Sequence, residues 1–470
     1  MKQNIQIIDA LAGSGKTYTA LQHAVKQVQQ GRKVIFCQPT INLIRHSIAD
    51  VKAFNINIQI HEIHSGVSEF TVQQELAEFL DNNDQPCILF VTHSTLSQNK
   101  FWKEACTWDL YIDELPQIIQ EFKPNLPWTH SLLTDCLSFN RNGTDFIDVS
   151  GTGNINHIAD NRQRDDIYKV ITPVLEKVRN PNYEVSVSKE TLTKLNSQNG
   201  GQFNFYATLQ PSVFEKFRSV TLMSANLRDS FLYSIWRNKV EFIDHDIQDE
   251  IKARLSRHLQ QNIEIKYMFE NSWSKSKRKI TVEVNGKKQN AMALFVEQTT
   301  ELMGSQDFLW VANNDQPDEL FWQENAQRIS NVSHGLNCYK TKNNIAFMSA
   351  LNPSPGHIKY LKHLGLTDNE IRTAGSNQTM YQCVLRTSIR DLSSTAKKIV
   401  VVPDFQAALY LQKMFPNATV SQCIACTETV KKVGRRKKKT ALTSAERVRK
   451  HRAKKKSEQD MLKTNYANAR

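Results

Sequence analysis

The stretch Ile5–Leu21, IQIIDALAGSGKTYTAL, limits the possible folds of this chain more than any other. An apolar run that reads as a buried parallel strand leads into small residues ending in Gly15-Lys16-Thr17. Leu21, Ala24, Val25 and Val28 then recur at helical spacing. Strand, small-residue loop and helix in that order are the context of a phosphate-gripping loop, because loop N–H groups and a helix N-terminus must converge on phosphate oxygens. Gly13 and Gly15 permit backbone geometry that a side chain would block. Ala12, Gly13, Ser14 and Gly15 would line the grip, Lys16 would reach the β/γ-phosphates and the Thr17 hydroxyl would hold Mg²⁺. Ala10 stands where the commonest form of this signature has its first glycine.

Such a loop needs a carboxylate on a neighbouring strand. WDLYIDELP supplies it: Leu110, Tyr111 and Ile112 form an apolar strand, and Asp113 and Glu114 stand at its C-terminal end, where open α/β sheets bind ligands. Asp113 would complete the Mg²⁺ site, and Glu114 would orient or deprotonate an attacking water. KVIFCQPT (Lys33–Thr40) and CILFVTHSTL (Cys87–Leu96) lie between, as further strands separated by helical patterns. The region therefore reads as α/β, with βαβ units, a parallel sheet and ligand sites along one rim.

A chain of 470 residues with 40% apolar residues has material for more than one core. Eight scattered cysteines and an N-terminus without a leader pattern point to a reducing, cytoplasmic setting. The longest apolar runs fall short of the ~20 residues a membrane span needs, so the chain reads as soluble, without a membrane partner. The net charge of +13 is not spread evenly. Lys431–Lys456 holds 14 Lys and Arg against one Glu, which leaves 46 basic and 46 acidic residues elsewhere.

In chain order, ALAGSGKT, PTINL, VTHS, IDELP, LMSAN and YQCVLRTSIR resemble the motif series of superfamily-2 helicases and translocases, most of all phage- or plasmid-borne members of the DEAD/DEAH-like group. The resemblance spans roughly residues 5–425. It implies two RecA-like domains with parallel sheets, ATP and Mg²⁺ in the cleft between them, and a nucleic-acid strand across their tops. On this reading the first domain covers 1–245, the second 246–425, and a basic tail 426–470. Thr40, Thr92, His93 and Ser94 match the family's loops that grip the strand's backbone, although Thr and Ser at strand ends also serve as helix caps. Ser224 and Asn226 match the Ser-Ala-Thr segment that couples the two sites, with Asn226 in place of Thr.

The strand patterns restart in NIEIKYMF, DFLWVANND and KKIVVVPDF, with a hairpin at Asn285-Gly286 and no second phosphate loop. A RecA-like domain without its own loop serves its neighbour's nucleotide with arginines. Gln382, Arg386 and Arg390, spaced i, i+4, i+8, would share one helix face, and an arginine delivered to a γ-phosphate is worth ~10³ to 10⁵ in rate. The family's pattern is Gln-x-x-Gly-Arg-x-x-Arg. Leu385 stands here for the glycine and the second arginine comes one residue late, so Arg386 is favoured over Arg390 as the finger. A basic amphipathic helix bonded to nearby acids is the structural alternative. Gly335 and Asn337 fit the family's coupling segment loosely.

About 110 residues separate Glu114 from Ser224, far more than a compact crossover needs. Their short alternating segments predict an inserted module over Lys123–Gln210, either contacting or splitting nucleic acid or purely structural. The tail, with Arg435, Arg436, Lys437, Lys438 and Lys439, is too charged to fold alone and suits a polyanion. Cys423 and Cys426 have no second pair at ligand spacing, so no zinc site is read there. The whole reading is an ATP-hydrolysing DNA helicase or translocase that acts on single-stranded or forked DNA, as in DNA replication. A remodelling ATPase and an ATP-switched DNA-binding replication factor are the alternatives.

Overall fold

A computed structural model of the chain describes residues 2–68, 71–99, 102–140, 145–197, 201–255, 261–331, 339–391 and 394–428. The expected segments form two parallel sheets. Seven strands make the first, in the spatial order Glu241–Asp244, Asn4–Asp9, Ser219–Ser224, Trp108–Asp113, Lys33–Gln38, Cys87–Thr92 and Gln59–Ile63. The second has six, in the order Ala326–Arg328, Phe308–Val311, Asn344–Phe347, Lys398–Asp404, Ile263–Phe269 and Thr419–Gln422. Both are covered on two faces, which is why their strands read as continuous apolar runs rather than alternating ones. In Lys398–Asp404, Val400 and Val402 enter one core while Ile399 and Val401 enter the other. Asn285 and Gly286 make the predicted turn with φ of 49° and 79°, joining Thr281–Val284 to Lys287–Asn290. Together the two sheets give the chain a mixed α/β architecture.

The chain leaves the first sheet after Asp113 and builds a separate antiparallel sheet before it returns at Ser219. Its order is Ile119–Phe122, Phe205–Leu209, Tyr183–Ser188, Phe146–Gly151 and Leu137–Asn140. The helix Thr172–Val178 buries Val174 and Leu175 against it. This sheet is a second place where the two halves meet. The helix Pro355–His363, which follows the second-sheet strand Asn344–Phe347, lies on it. Tyr360 stacks on Tyr206 with ring centres 4.5 Å apart and planes 16° from parallel, and Phe146 meets Tyr360 edge-on at 5.1 Å. The Tyr360 hydroxyl shares a 2.7 Å hydrogen bond with Thr208 Oγ1. At the start of the helix Ser354 Oγ donates to Glu121 of the inserted sheet at 3.2 Å. Leu361, Leu366 and Ile371 join the same core. Each aromatic pair is worth about 0.5–1.5 kcal/mol beyond its buried area.

The first unit's packing runs past residue 245. Ile251, on the helix Gln248–Leu255, is fully buried in the core formed with the phosphate-loop helix.

Candidate nucleotide site

The loop after Asn4–Asp9 turns through Gly13 and Gly15, with φ of 82° and 84°, into the helix Lys16–Gln29. Those angles are left-handed, where only glycine is unstrained. The strand, loop and helix thus follow one another as the sequence predicts, and Leu21, Ala24, Val25 and Val28 hold the helix in the core. Lys16 is 7% exposed, and its Nζ donates to the carbonyls of Ala10 and Leu11 at 3.0 Å each. Burial pulls its pKa down, and Glu114, Asp113 and Asp9 oppose that pull.

Asp113 comes to the same place from the end of its strand. Its Oδ2 accepts from Thr17 Oγ1 at 3.0 Å and from Gln38 Nε2 at 3.0 Å. Burial, reinforced by Glu114, pushes the Asp113 carboxyl up to about 6. Glu114 has φ of 61°, a left-handed conformation that costs a non-glycine residue roughly 1–2 kcal/mol. Its carboxylate accepts from Ser224 Oγ at 3.3 Å. The orphaned atoms fit a polyphosphate with a divalent ion. Ser14 Oγ in the loop and Gln38 Oε1 beside Asp113 are buried without a hydrogen-bond partner among the described residues, a costly state that a bound group would relieve. A hydroxyl and one carboxylate are also the sparse protein set with which Mg²⁺ binds alongside substrate phosphates.

The second sheet supplies the far wall. The helix predicted to carry Gln382, Arg386 and Arg390 on one face is shorter than that, running Gln378–Val384 and ending at Leu385. Thr387 accounts for the break: its Oγ1 donates to the Val384 carbonyl at 2.7 Å and accepts from the Ile389 amide, so a side chain replaces the helical ladder. Ser388 is drawn sideways onto the Lys342 carbonyl and Asn343 Oδ1. Arg386 thus lies in a turn, and Arg390 closes a 3₁₀ turn. Both still lie near Glu114. A Cβ on Gly13 would lie 2.8 Å from Arg390 Cγ, so the Arg390 side chain crosses directly over the grip. Burial lowers the pKa of Arg386 and Arg390, and Glu114 raises both. Gln382 and Arg386 line a cleft of about 390 Å³ that also holds Glu114 and Ser224.

The other predicted residues are placed as follows. Thr40 and Thr92 accept from Leu43 N and Thr95 N and so cap the helices Ile41–Ala53 and His93–Gln98. Ser94 Oγ accepts from Gln98, and His93 Nε2 lies 3.0 Å from the Asp113 carbonyl oxygen. Asn226 adopts φ 51°, a left-handed conformation that asparagine tolerates and a β-branched threonine does not, which explains the departure from Ser-Ala-Thr. Its carbonyl accepts from Gln378 Nε2 of the second half at 2.9 Å. Arg435, Arg436, Lys437, Lys438 and Lys439, with Gly335 and Asn337, lie outside the described residues.

Sequence reasoning passed over Asp9, Gln38 and Gln248. Asp9 accepts from the Leu227 and Arg228 amides and so ties the Ser224–Asn226 loop to the first strand. Gln248, from beyond residue 245, accepts from the Asp9 amide at 2.9 Å. A polar residue at the end of an apolar strand was the available signal in Asp9 and Gln38. Gln248 gave none.

A glycine-turned loop and a carboxylate pair thus stand at the end of one parallel sheet, with Arg390 from the second half laid over the loop. Residues 2–152 match the family model described as DEAD/DEAH box helicase. No curated protein matches the chain. Among solved structures it is similar to Xpd4 of S. tokodaii at 9% identity and a TM-score of 0.47, covering 89% of this chain and 96% of that one. It is also similar to S. cerevisiae Dbp5 bound to RNA and ADP BeF3, at 10% identity and a TM-score of 0.37, covering 90% and 86%. RecG bound to a three-way DNA junction follows at 12% identity and 0.32, covering 89% and 42%. Likenesses this distant have no bearing on substrate.

Proposed function

We propose that the chain is an ATP-dependent helicase or translocase that moves along a nucleic-acid strand, DNA in the first instance. One observation carries this reading: Arg390 of the second half lies over Gly13 of the first, so a change in the nucleotide site is felt as a change in how the halves meet. In this reading the domains divide near 245 and 425, with the inserted module between about 123 and 210. Ala12 to Gly15 and Lys16 bind the phosphates of ATP. Thr17 and Asp113 hold Mg²⁺, which when bound supplies charge neutralisation at the phosphates.

Glu114 holds and deprotonates the attacking water, and its strained backbone aims the carboxylate at Ser224 and the cleft. Arg386 and Arg390 stabilise charge that develops on the transferred phosphoryl group. Because its side chain crosses the loop, Arg390 takes the part that the motif spacing favoured for Arg386. Ser224 and Asn226 couple the site to the second half through Gln378. Thr40, Thr92, His93 and Ser94 face the strand with loop and helix-end groups, and the basic tail adds sequence-independent affinity. The unwound substrate is single-stranded or forked DNA in a phage- or plasmid-type setting. No described helix is long and apolar enough to cross a membrane.

The test is ATP hydrolysis by wild type and Glu114→Gln with single-stranded DNA, duplex DNA and RNA, together with strand displacement on a forked substrate. Wild type is expected to be stimulated most by single-stranded DNA and to displace a strand. Glu114→Gln should bind ATP normally but turn over about 10²–10⁴-fold more slowly. Stimulated hydrolysis without displacement or movement on any substrate would reduce the reading to a remodelling ATPase.

A further inference from the structure

The aromatic contact between Tyr206 and Tyr360 seals only part of the meeting of the inserted sheet and the helix Pro355–His363. Beside it lies a second opening of about 920 Å³, larger than the cleft beside the nucleotide site. One wall is the inserted module: Asp145, the strand end at Ser188, the start of the helix Lys189–Asn196, and Asn204. The other is the exposed side of Pro355–His363. Phe146 and Tyr206 form the floor, and the accessible lining is divided about evenly between polar and apolar surface.

Its charge is lopsided. Lys189 and Lys194 stand on one wall and Lys359 and Lys362 on the other, against only Asp145 and Glu190. Outside the tail, basic and acidic residues balance along the chain, so four lysines around one opening are a local concentration. Two of them are held at rest by exposed acids, Lys194 by Glu190 at 3.0 Å and Lys362 by Asp368 at 2.8 Å. Exposed pairs of this kind are worth at most about 1 kcal/mol, so a polyanion can displace them at small cost. Lys359 and Lys362 are three apart on their helix and therefore project from the same side. A phosphodiester chain would meet ammonium groups from both walls.

We propose that this opening is a second nucleic-acid site, which grips the backbone of a single strand between the inserted module and the second domain. The proposal rests on the functional reading above and deepens it, because a strand held there touches both halves and its grip depends on their separation. It also gives the inserted module a task that its folded sheet alone does not require.

The test uses the full-length protein. Lys359→Ala/Lys362→Ala is compared with wild type, with Lys359→Arg/Lys362→Arg, and with a control pair, Lys52→Ala/Lys103→Ala, which removes two exposed lysines from the first domain. Binding of a fluorescent single-stranded oligonucleotide is followed from about 50 to 300 mM salt, alongside ATP hydrolysis with and without it. The proposal expects unstimulated hydrolysis unchanged, the half-saturating concentration for stimulation raised about tenfold or more, and the log–log salt slope reduced by about 1.4, about 0.7 for each lost phosphate contact. The arginine pair should restore the slope. An unchanged slope and half-saturation in Lys359→Ala/Lys362→Ala, or an equal loss in the control pair, overturns the site. Loss of binding to an acidic peptide without loss of oligonucleotide binding also overturns it, in favour of a protein partner. Failure of the wild type to bind or respond to any nucleic acid refutes the functional reading itself.

Discussion

The two places where the halves of this protein meet are built from opposite chemistry. At the candidate nucleotide cleft, Arg390 crosses Gly13 while Lys16, Asp113 and Arg386 sit desolvated around unfilled hydrogen-bonding atoms. At the inserted sheet, Tyr206, Tyr360 and Phe146 close over a satisfied hydroxyl pair. The first contact is held off its optimum until something fills it, since buried charges and orphaned polar atoms cost free energy. The second is mainly apolar, with His357 Nε2 its one orphaned side-chain nitrogen among the described residues there. On the proposed function, the difference separates a contact that would change with ligand from one that would keep the halves together while it does.

Substitution at Arg390 should have the largest effect. Arg390→Ala is expected to lower ATP turnover by roughly 10³-fold or more while leaving thermal stability within about 1 kcal/mol, and Arg386→Ala to lower it by less. If turnover and melting temperature fall together, the cleft is a structural contact like the other. Tyr360→Ala reverses the pattern. Truncating this ring, 1% exposed, should cost about 3–5 kcal/mol in a denaturant titration, with the unstimulated ATPase of the folded fraction little changed.

Gly13→Ala sharpens the comparison further. It meets both the left-handed backbone and Arg390, so it should cost about 1–2 kcal/mol from the backbone plus a clash. In the Gly13→Ala/Arg390→Ala double variant the clash disappears, and the two changes should be non-additive in unfolding free energy. Strict additivity would place Arg390 away from the loop.

A further effect concerns neither contact. His245 is buried against His23 behind the phosphate-loop helix, and its pKa is pushed down to about 4 by burial and by that neighbour. An unfolded chain, with the ordinary value near 6.5, binds the proton first. Stability is therefore intact above about pH 6.5 and falls as pH drops towards 4, at up to about 1.4 kcal/mol per unit. Urea titrations across that window should show the fall, and His245→Gln should flatten it.

What the sequence disclosed follows from how far each feature depends on local chemistry. The Gly13–Gly15 turn into its helix, the strand ending at Asp113 and the turn at Asn285-Gly286 depend on neighbours within a few residues, and they stand where spacing placed them. The arginine helix was misjudged because Thr387 and the distant Lys342 carbonyl override a sound helical pattern. Asn226 looked like a defect until its left-handed backbone explained it. The inserted sheet was legible as an excess of chain with alternating segments. Its partner, Pro355–His363, was not, because nothing near Tyr360 signals a ring some 150 residues earlier.

That separation has a consequence for synthesis. Tyr206 leaves the ribosome well before Tyr360, and at ~5–20 residues per second the wait is roughly ten to thirty seconds. Throughout that interval the nascent first domain carries an uncovered aromatic face, the kind of surface that chaperones bind and that neighbouring nascent chains stick to. A truncated message ending before residue 355 should therefore yield an aggregation-prone product, even though every residue of its phosphate loop is present.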